Sequence, residues 1–159
     1  MERQKNNSKS RHSYFLSLAF EQAKINLGST SNNPSVGCVV ERDGSVISSG
    51  YTSFKGRPHA EYNALNKRKN FRDANLYITL EPCSHYGVTP PCTNIIVKKR
   101  IKKVFYSVFD FDLRSKKKSK EILNKKKIIV KESLLKKNGL DFYKSYYLQH
   151  SSNLPLKEV

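Results

Sequence analysis

His59, Glu61, Cys83 and Cys92 are the residues of this chain whose types and spacing could do chemistry together. An imidazole and two thiolates suit Zn²⁺, and a catalytic zinc takes three protein ligands while keeping its fourth position for water. A metal held in this way lowers the pKa of that water to about 7, so hydroxide becomes available near neutrality. Glu61 stands two residues after His59. At the start of a helix that spacing can aim one side chain at a metal and the other past it, where a carboxylate could take a proton from the water and pass it to a substrate. Each piece has a duller alternative. His-x-Glu arises by chance in many chains, Pro82-Cys83 could be a turn beside a buried thiol, and two cysteines with eight residues between them could be surface thiols. Their joint placement favours the metal: His59 and Glu61 open a predicted helix, Pro82-Cys83 follows a predicted strand, and Cys92 opens the next helix. Cys38 lies within an apolar strand run and reads as a small core residue.

The elements that must position these residues follow from periodicity and punctuation. Tyr14 to Leu27 reads as an amphipathic helix with Phe15, Leu18, Ala19, Ala23 and Leu27 on one face, stopped by Gly28. A polar loop over 29–34 leads into two β-rich runs, Val36 to Glu41 and Val46 to Tyr51, joined by Arg42-Asp43-Gly44-Ser45, where Asp-Gly signals a hairpin. After Pro58 a helix runs to Lys69, with Tyr62 and Leu65 turned toward a sheet. Leu76 to Leu80 is a buried strand, 83–91 a loop, and Cys92 to Arg100 a helix. Val104 to Phe109, Ser115 to Asn124, Ile128 to Val130 and Ser133 to Tyr147 then read as strand, basic helix, strand and terminal helix. This alternation predicts an α/β chain, a three-layer sandwich with a hairpin on one edge of a mixed sheet. The expected organisation is a flexible basic leader over 1–13, one domain over 14–148, and a tail over 149–159.

Composition narrows the function classes. A chain of 159 residues fits one ordinary domain, and 37% hydrophobic with 11% aromatic residues provides a packed core despite a mean hydropathy of −0.64. Three cysteines argue against a disulfide scaffold. No apolar run approaches the roughly 20 residues of a membrane span, and no signal-peptide core follows Met1, so the expected compartment is the cytoplasm, without membrane attachment. The net charge of +17 invites a nucleic-acid reading. From Lys98 onward the chain holds 18 basic against 6 acidic residues, and overall 22 Lys stand against 8 Arg. Base readout and bidentate phosphate clamping favour Arg, so a solvated lysine-rich surface is preferred and nucleic acid is kept only as a minor alternative.

The stretch Thr79-Leu80-Glu81-Pro82-Cys83-Ser84-His85-Tyr86-Gly87-Val88-Thr89-Pro90-Pro91-Cys92 resembles the zinc motif of the riboflavin-biosynthesis deaminases, the amino-terminal half of the RibD-type bifunctional protein. The wide spacing between the two cysteines is characteristic of that branch of the zinc nucleobase deaminases. Asn33-Pro34-Ser35-Val36-Gly37-Cys38-Val39-Val40 and Pro58-His59-Ala60-Glu61 resemble further blocks of the family, and the likeness runs from about Tyr14 to beyond Leu140. The resemblance implies a three-layer α/β/α fold of the cytidine-deaminase-like type with a mixed five-stranded sheet. It implies zinc held by His59, Cys83 and Cys92, with Glu61 as proton shuttle and Asn33 as a substrate contact. Asn33 could instead cap a turn before Pro34. The implied reaction is hydrolytic deamination of 2,5-diamino-6-(5-phosphoribosylamino)pyrimidin-4-one with release of ammonia, by an enzyme expected to self-associate.

Three departures point to altered substrate recognition. Val88 stands where the family usually carries Lys or Arg, and Thr52 stands where a histidine is common. The family's Asp-Pro-rich stretch appears as Asp110-Phe111-Asp112-Leu113-Arg114, followed by Lys116-Lys117-Lys118. Asp110, Asp112 and Arg114 are carried as candidate substrate contacts, and Arg114 with Lys116 to Lys118 as replacements for the cation missing at Val88; these lysines could equally face water. No Gly-rich dinucleotide-binding pattern is present, so the reductase step that follows in bifunctional relatives is expected from another chain. Two rival readings remain, a zinc deaminase of another pyrimidine nucleotide or RNA base, and a catalytically idle zinc protein partnering a reductase.

Overall fold

In the computed structural model of the protein, which describes residues 2–151, the hairpin forms as the sequence requires. Strands β1 (Gly37–Arg42) and β2 (Ser45–Tyr51) are joined by Asp43 and Gly44 alone, with φ of 54° and 85°. Two consecutive positive φ values make the tight turn whose twist matches paired strands, and Asp-Gly accepts them with little strain. Strands β3 (Asn75–Leu80), β4 (Lys103–Val108) and β5 (Ile129–Lys131) complete one five-stranded sheet in the order β2-β1-β3-β4-β5. Pairing is antiparallel across β2-β1-β3 and parallel across β3-β4-β5, so the sheet is mixed with the hairpin at one edge. The central β3 and β4 are buried over five of their six residues, as strands covered on both faces must be.

Five helices cover the two faces. Helices α1 (Glu2–Ala23) and α5 (Lys136–Ser151) share one face, where Phe20 meets Phe142 edge-on at 5.5 Å between ring centroids. Helices α2 (Ala60–Leu65), α3 (Cys92–Lys98) and α4 (Ser119–Lys125) lie on the other, held by Ala64 and Leu65, Ile96 and Leu123, all fully buried. The three-layer α/β/α architecture expected from the alternation is therefore the one observed. Cys38 sits in β1 with no exposed surface, a core residue as expected. Among the described residues, no helix is long and apolar enough to cross a membrane.

Several boundaries differ from the sequence expectation, each for a packing reason. Helix α1 begins at Glu2, through the stretch expected to be a flexible leader, and ends at Ala23 rather than Leu27, which is exposed. The extension is tied to the body of the domain. The His12 ring stacks on Phe105 at 4.3 Å, its Nδ1 lies 2.7 Å from the Tyr77 hydroxyl, and Arg11 reaches Glu41 at 3.3 Å. Helix α2 is shorter than expected, and Tyr62 points outward while Ala60, Ala64 and Leu65 form the buried face. Helices α4 and α5 each start later than the basic and apolar patterns suggested, at Ser119 and Lys136. Of the expected tail, 149–151 belong to α5 and the remainder lies outside the described residues.

The short α2 rests directly on β2. A Cβ added to Gly50 would stand 2.5 Å from the Ala60 carbonyl oxygen and 2.6 Å from the Ala64 nitrogen, closer than any side chain is tolerated. Gly50→Ala should therefore push α2 off the sheet, at a cost of about 3 kcal/mol or more, since both obstructing atoms are backbone. Chemical denaturation should show the loss, and zinc affinity should fall with it because α2 carries His59 and Glu61 at its start.

Candidate active site

Strand β3 ends at Leu80, and the chain then turns through Glu81-Pro82 to deliver Cys83 at the carboxyl edge of the sheet, where α/β folds place their ligands. His59 is the residue that caps the start of α2, in an extended conformation (φ −69°, ψ 163°), and its side chain makes no capping bond, which leaves the imidazole free to turn outward. Cys92 opens α3 after Pro91, and its backbone N–H donates to Cys83 Sγ at 3.2 Å. The three elements bring one ligand atom each from His59, Cys83 and Cys92 to within 4.8 Å of one another. His59 Nδ1 lies 3.8 Å from Cys83 Sγ and 3.5 Å from Cys92 Sγ. Tetrahedral zinc, with bonds of about 2.3 Å to sulfur and about 2.0 Å to nitrogen, separates its donors by roughly 3.5–3.8 Å. The donor set and its spacing fit such an ion, and all three cysteines of the chain are free thiols.

Electrostatics favour the same use. Hydrogen bonding from Cys92, followed by that from His59, brings the Cys83 thiol down to about 4 against the cost of its burial. Cys92, giving its proton toward Cys83 and deeply buried, is raised in turn. Glu61 occupies the second position of α2 and is 4% exposed. Burial, with the nearby Cys83 charge second, pushes its carboxyl up to about 7, and His59 opposes the rise. A carboxyl poised there holds and releases a proton at neutral pH, as a general acid–base must.

These groups open into a cavity of about 620 Å³. Asn33, Asp110, Asp112 and Arg114, each expected from the sequence to meet a substrate, all line it. Asn33 Nδ2 donates to the Gly56 carbonyl at 2.8 Å, so the amide oxygen is what it can offer a ligand. Burial raises Asp110 to about 7, while the Arg114 guanidinium holds Asp112 down at about 2. Arg114 is committed to that pair, with Nε 2.9 Å from Asp112 Oδ1 and Nη2 2.6 Å from Oδ2. Of the three lysines that follow, only Lys116 reaches the cavity wall; Lys117 Nζ instead lies over the Phe109 ring at 5.1 Å. Thr52, where the resembling proteins often have histidine, is 1% exposed and accepts the Val36 N–H at 2.9 Å, a structural tie between β2 and the loop that carries Asn33.

Sequence reasoning missed several contributors. Glu81 is 2% exposed, and its carboxylate accepts four bonds from the segment after β4: Asp110 N and Lys117 N at Oε1 (3.1 and 2.9 Å), Ser119 N and Ser119 Oγ at Oε2 (3.3 and 2.7 Å). Its place directly before Pro82-Cys83 was the available signal. Phe111, Tyr146 and Tyr147 form an aromatic side of the cavity, with Phe111 packed edge-on to Tyr147. No local pattern marks this pairing, because α5 meets the 110–114 loop only in three dimensions. Arg57 and His85 also line the cavity; the Ser115 hydroxyl fixes His85 at Nδ1 while Asp112 Oδ2 lies 3.5 Å from its Nε2.

A family model for the cytidine and deoxycytidylate deaminase zinc-binding region matches residues 9–108, well over half of the chain. The chain belongs to this deaminase family. A protein of Buchnera aphidicola from Schizaphis graminum, named diaminohydroxyphosphoribosylamino-pyrimidine deaminase, is 35% identical over 143 residues, covering 89% of this chain and 97% of that one. Two solved structures superpose closely. One, from Thermotoga maritima, is named a diaminohydroxyphosphoribosylaminopyrimidine deaminase/5-amino-6-(5-phosphoribosylamino)uracil reductase (TM-score 0.84, 33% identity, 93% of this chain and 43% of that chain). The other is Acinetobacter baumannii RibD (TM-score 0.85, 34% identity, 92% and 42%). The chain thus spans nearly all of the Buchnera relative and less than half of each solved one. The deaminase fold and the zinc-binding character expected from the sequence are both borne out.

The Glu81 cluster makes the 110–119 segment dependent on one carboxylate. Glu81→Gln places an amide NH₂ against backbone N–H donors, and should cost about 1–3 kcal/mol. Hydrogen exchange should accelerate at Asp110, Lys117 and Ser119 while the amides of β1 keep their protection.

Proposed function

We propose that the protein is the riboflavin-pathway deaminase, converting 2,5-diamino-6-(5-phosphoribosylamino)pyrimidin-4-one and water to the 5-aminouracil product and ammonia. The observation that carries this is the convergence of the His59, Cys83 and Cys92 donors within 4.8 Å beside a buried carboxylic acid, in a chain that spans 97% of a relative bearing that deaminase name.

His59, Cys83 and Cys92 would hold the zinc, which would supply a water acidic enough to give hydroxide near neutrality. Glu61 acts on the proton traffic. Its carboxylate takes a proton from the attacking water and delivers it to the pyrimidine ring nitrogen beside the amino-bearing carbon. It then carries the second proton to the departing amine, so the C–N bond breaks with ammonia as leaving group and a ring carbonyl remains. A carboxyl pushed up to about 7 by burial is matched to both transfers. Asn33 and Asp110 line the cavity from two different loops and are assigned to orient the ring and ribose. Phe111 and Tyr147 supply an apolar side against which a flat pyrimidine can lie.

The product passes to a reductase, the activity named together with the deaminase in the Thermotoga maritima relative. Free thiols at a working site suit a reducing compartment, so the reading extends to a cytoplasmic enzyme, and self-association is carried over from the family resemblance alone.

Replacing Glu61 by Gln should lower ammonia release from the pathway pyrimidine by about 10²–10⁴-fold, while metal analysis still finds about one zinc per chain. Wild-type activity in that variant would refute the assignment. A panel of the pathway pyrimidine, cytidine, deoxycytidylate and tRNA should give ammonia from the first alone.

A further inference from the structure

The substrate of the proposed reaction carries a phosphate monoester, and the cavity must meet its charge with a cation. Three permanently basic side chains line the cavity: Arg57, Arg114 and Lys116. Arg114 is bound along its fork to Asp112, and its side chain is 66% exposed. Lys116 is exposed on the segment that Glu81 fastens. Arg57 is placed differently. It is half-buried at the end of the 3₁₀ turn Phe54–Gly56, two residues before His59, so the chain that positions the metal ligand also positions this guanidinium. Its Nη1 donates to the Thr89 hydroxyl at 2.7 Å, which fixes the fork against the 86–90 loop. Among the described residues no carboxylate lies within ion-pair distance of it.

The second nitrogen of that fork borders an open surface. A Cβ built on Gly87 would stand 3.8 Å from Arg57 Nη2 and 3.8 Å from His85 Nε2, with nothing closer. Both side chains therefore edge the same side-chain-free patch of the loop. Its neighbours Tyr86 and Val88 are neutral and 73% and 84% exposed. Guanidinium presents five N–H donors in a rigid plane suited to two phosphate oxygens at once, and a single bond to a neutral hydroxyl leaves most of them and the whole charge available.

We propose that Arg57, fixed by Thr89 over the bare face of Gly87, is the specificity-determining cation that receives the phosphate of the substrate. Arg114 shapes the opposite loop through Asp112. The proposal rests on the deaminase reading of this same site and deepens it by separating recognition of the phosphate from the chemistry at the metal centre.

The zinc-loaded wild type, Arg57→Gln, Arg57→Lys, Arg114→Ala and the double variant R57Q/V88K are compared on the pathway pyrimidine and on its dephosphorylated form. Loss of one charge-assisted pair predicts a KM for the phosphorylated substrate raised about 10–100-fold in R57Q, with kcat and the dephosphorylated KM unchanged within about twofold. Arg57→Lys should fall between R57Q and wild type, and a lysine restored at position 88 should recover part of the loss. Equal effects of R57Q on both substrates, no effect, or a phosphate-selective effect in Arg114→Ala instead would overturn the assignment. If the wild type releases no ammonia from either form, the deaminase reading falls, and calorimetric binding of ribose 5-phosphate against ribose still decides the site. A preference for the phosphate that R57Q abolishes upholds it; no preference, or one that survives R57Q, overturns it.

Discussion

Helix α2 lies so close to β2 that a single methyl group at Gly50 would meet the Ala60 carbonyl oxygen at 2.5 Å. This contact sets the height at which His59 and Glu61 stand above the sheet. Cys83 comes from the end of β3 and Cys92 from the start of α3, so three separately placed elements must agree to within a few tenths of an ångström for one ion to bind. A short helix with alanines at Ala60 and Ala64 reaches that position; a larger side chain at either contact would lift the carboxylate out of the depth that raises its pKa. Burial of Glu61 is costly on its own, and the favourable chemistry it enables depends on the packing beneath it.

A second carboxylate solves the opposite problem. Glu61 is buried beside the metal-donor group, whereas the Glu81 carboxylate accepts four hydrogen bonds from one segment of the chain. Its oxygens gather the backbone of the segment that carries Asp110, Asp112 and Arg114, a stretch whose only helix is the short α4. The segment then closes against α5, where Tyr143 bridges Thr79 Oγ1 and the Ser35 carbonyl at 2.7 and 2.9 Å. The cavity is thus walled by elements from both layers of helices, with the metal donors on one side and aromatic rings on the other.

The large positive charge has little to do with this cavity. Among the described residues most of the excess lies from Lys98 onward, between the end of α3 and α5, while the cavity lining itself balances Arg57, Arg114 and Lys116 against Glu61, Glu81, Asp110 and Asp112. A small anionic substrate needs one well-placed cation far more than it needs a field, because screening over about 8–10 Å blunts the distant lysines.

Local residue patterns determined the order of elements, the Asp43-Gly44 turn, the core role of Cys38 and the choice of His59, Cys83 and Cys92, with Glu61 beside them, as the candidate site. Those features are written in near neighbours or in residue types with one efficient chemical use. Tertiary structure alone decided that 2–13 is helical, since His12 earns its place by stacking on Phe105 from a distant strand. It also decided that Arg114 spends its charge on Asp112, that Glu81 organises a loop up to 38 positions away, and that Arg57 is the half-buried cation of the cavity with no carboxylate within ion-pair distance among the described residues. The physical reason is common to all four. The worth of a charged or polar side chain depends on which partners folding brings within 3 Å of it, and no spacing along the chain encodes that distance.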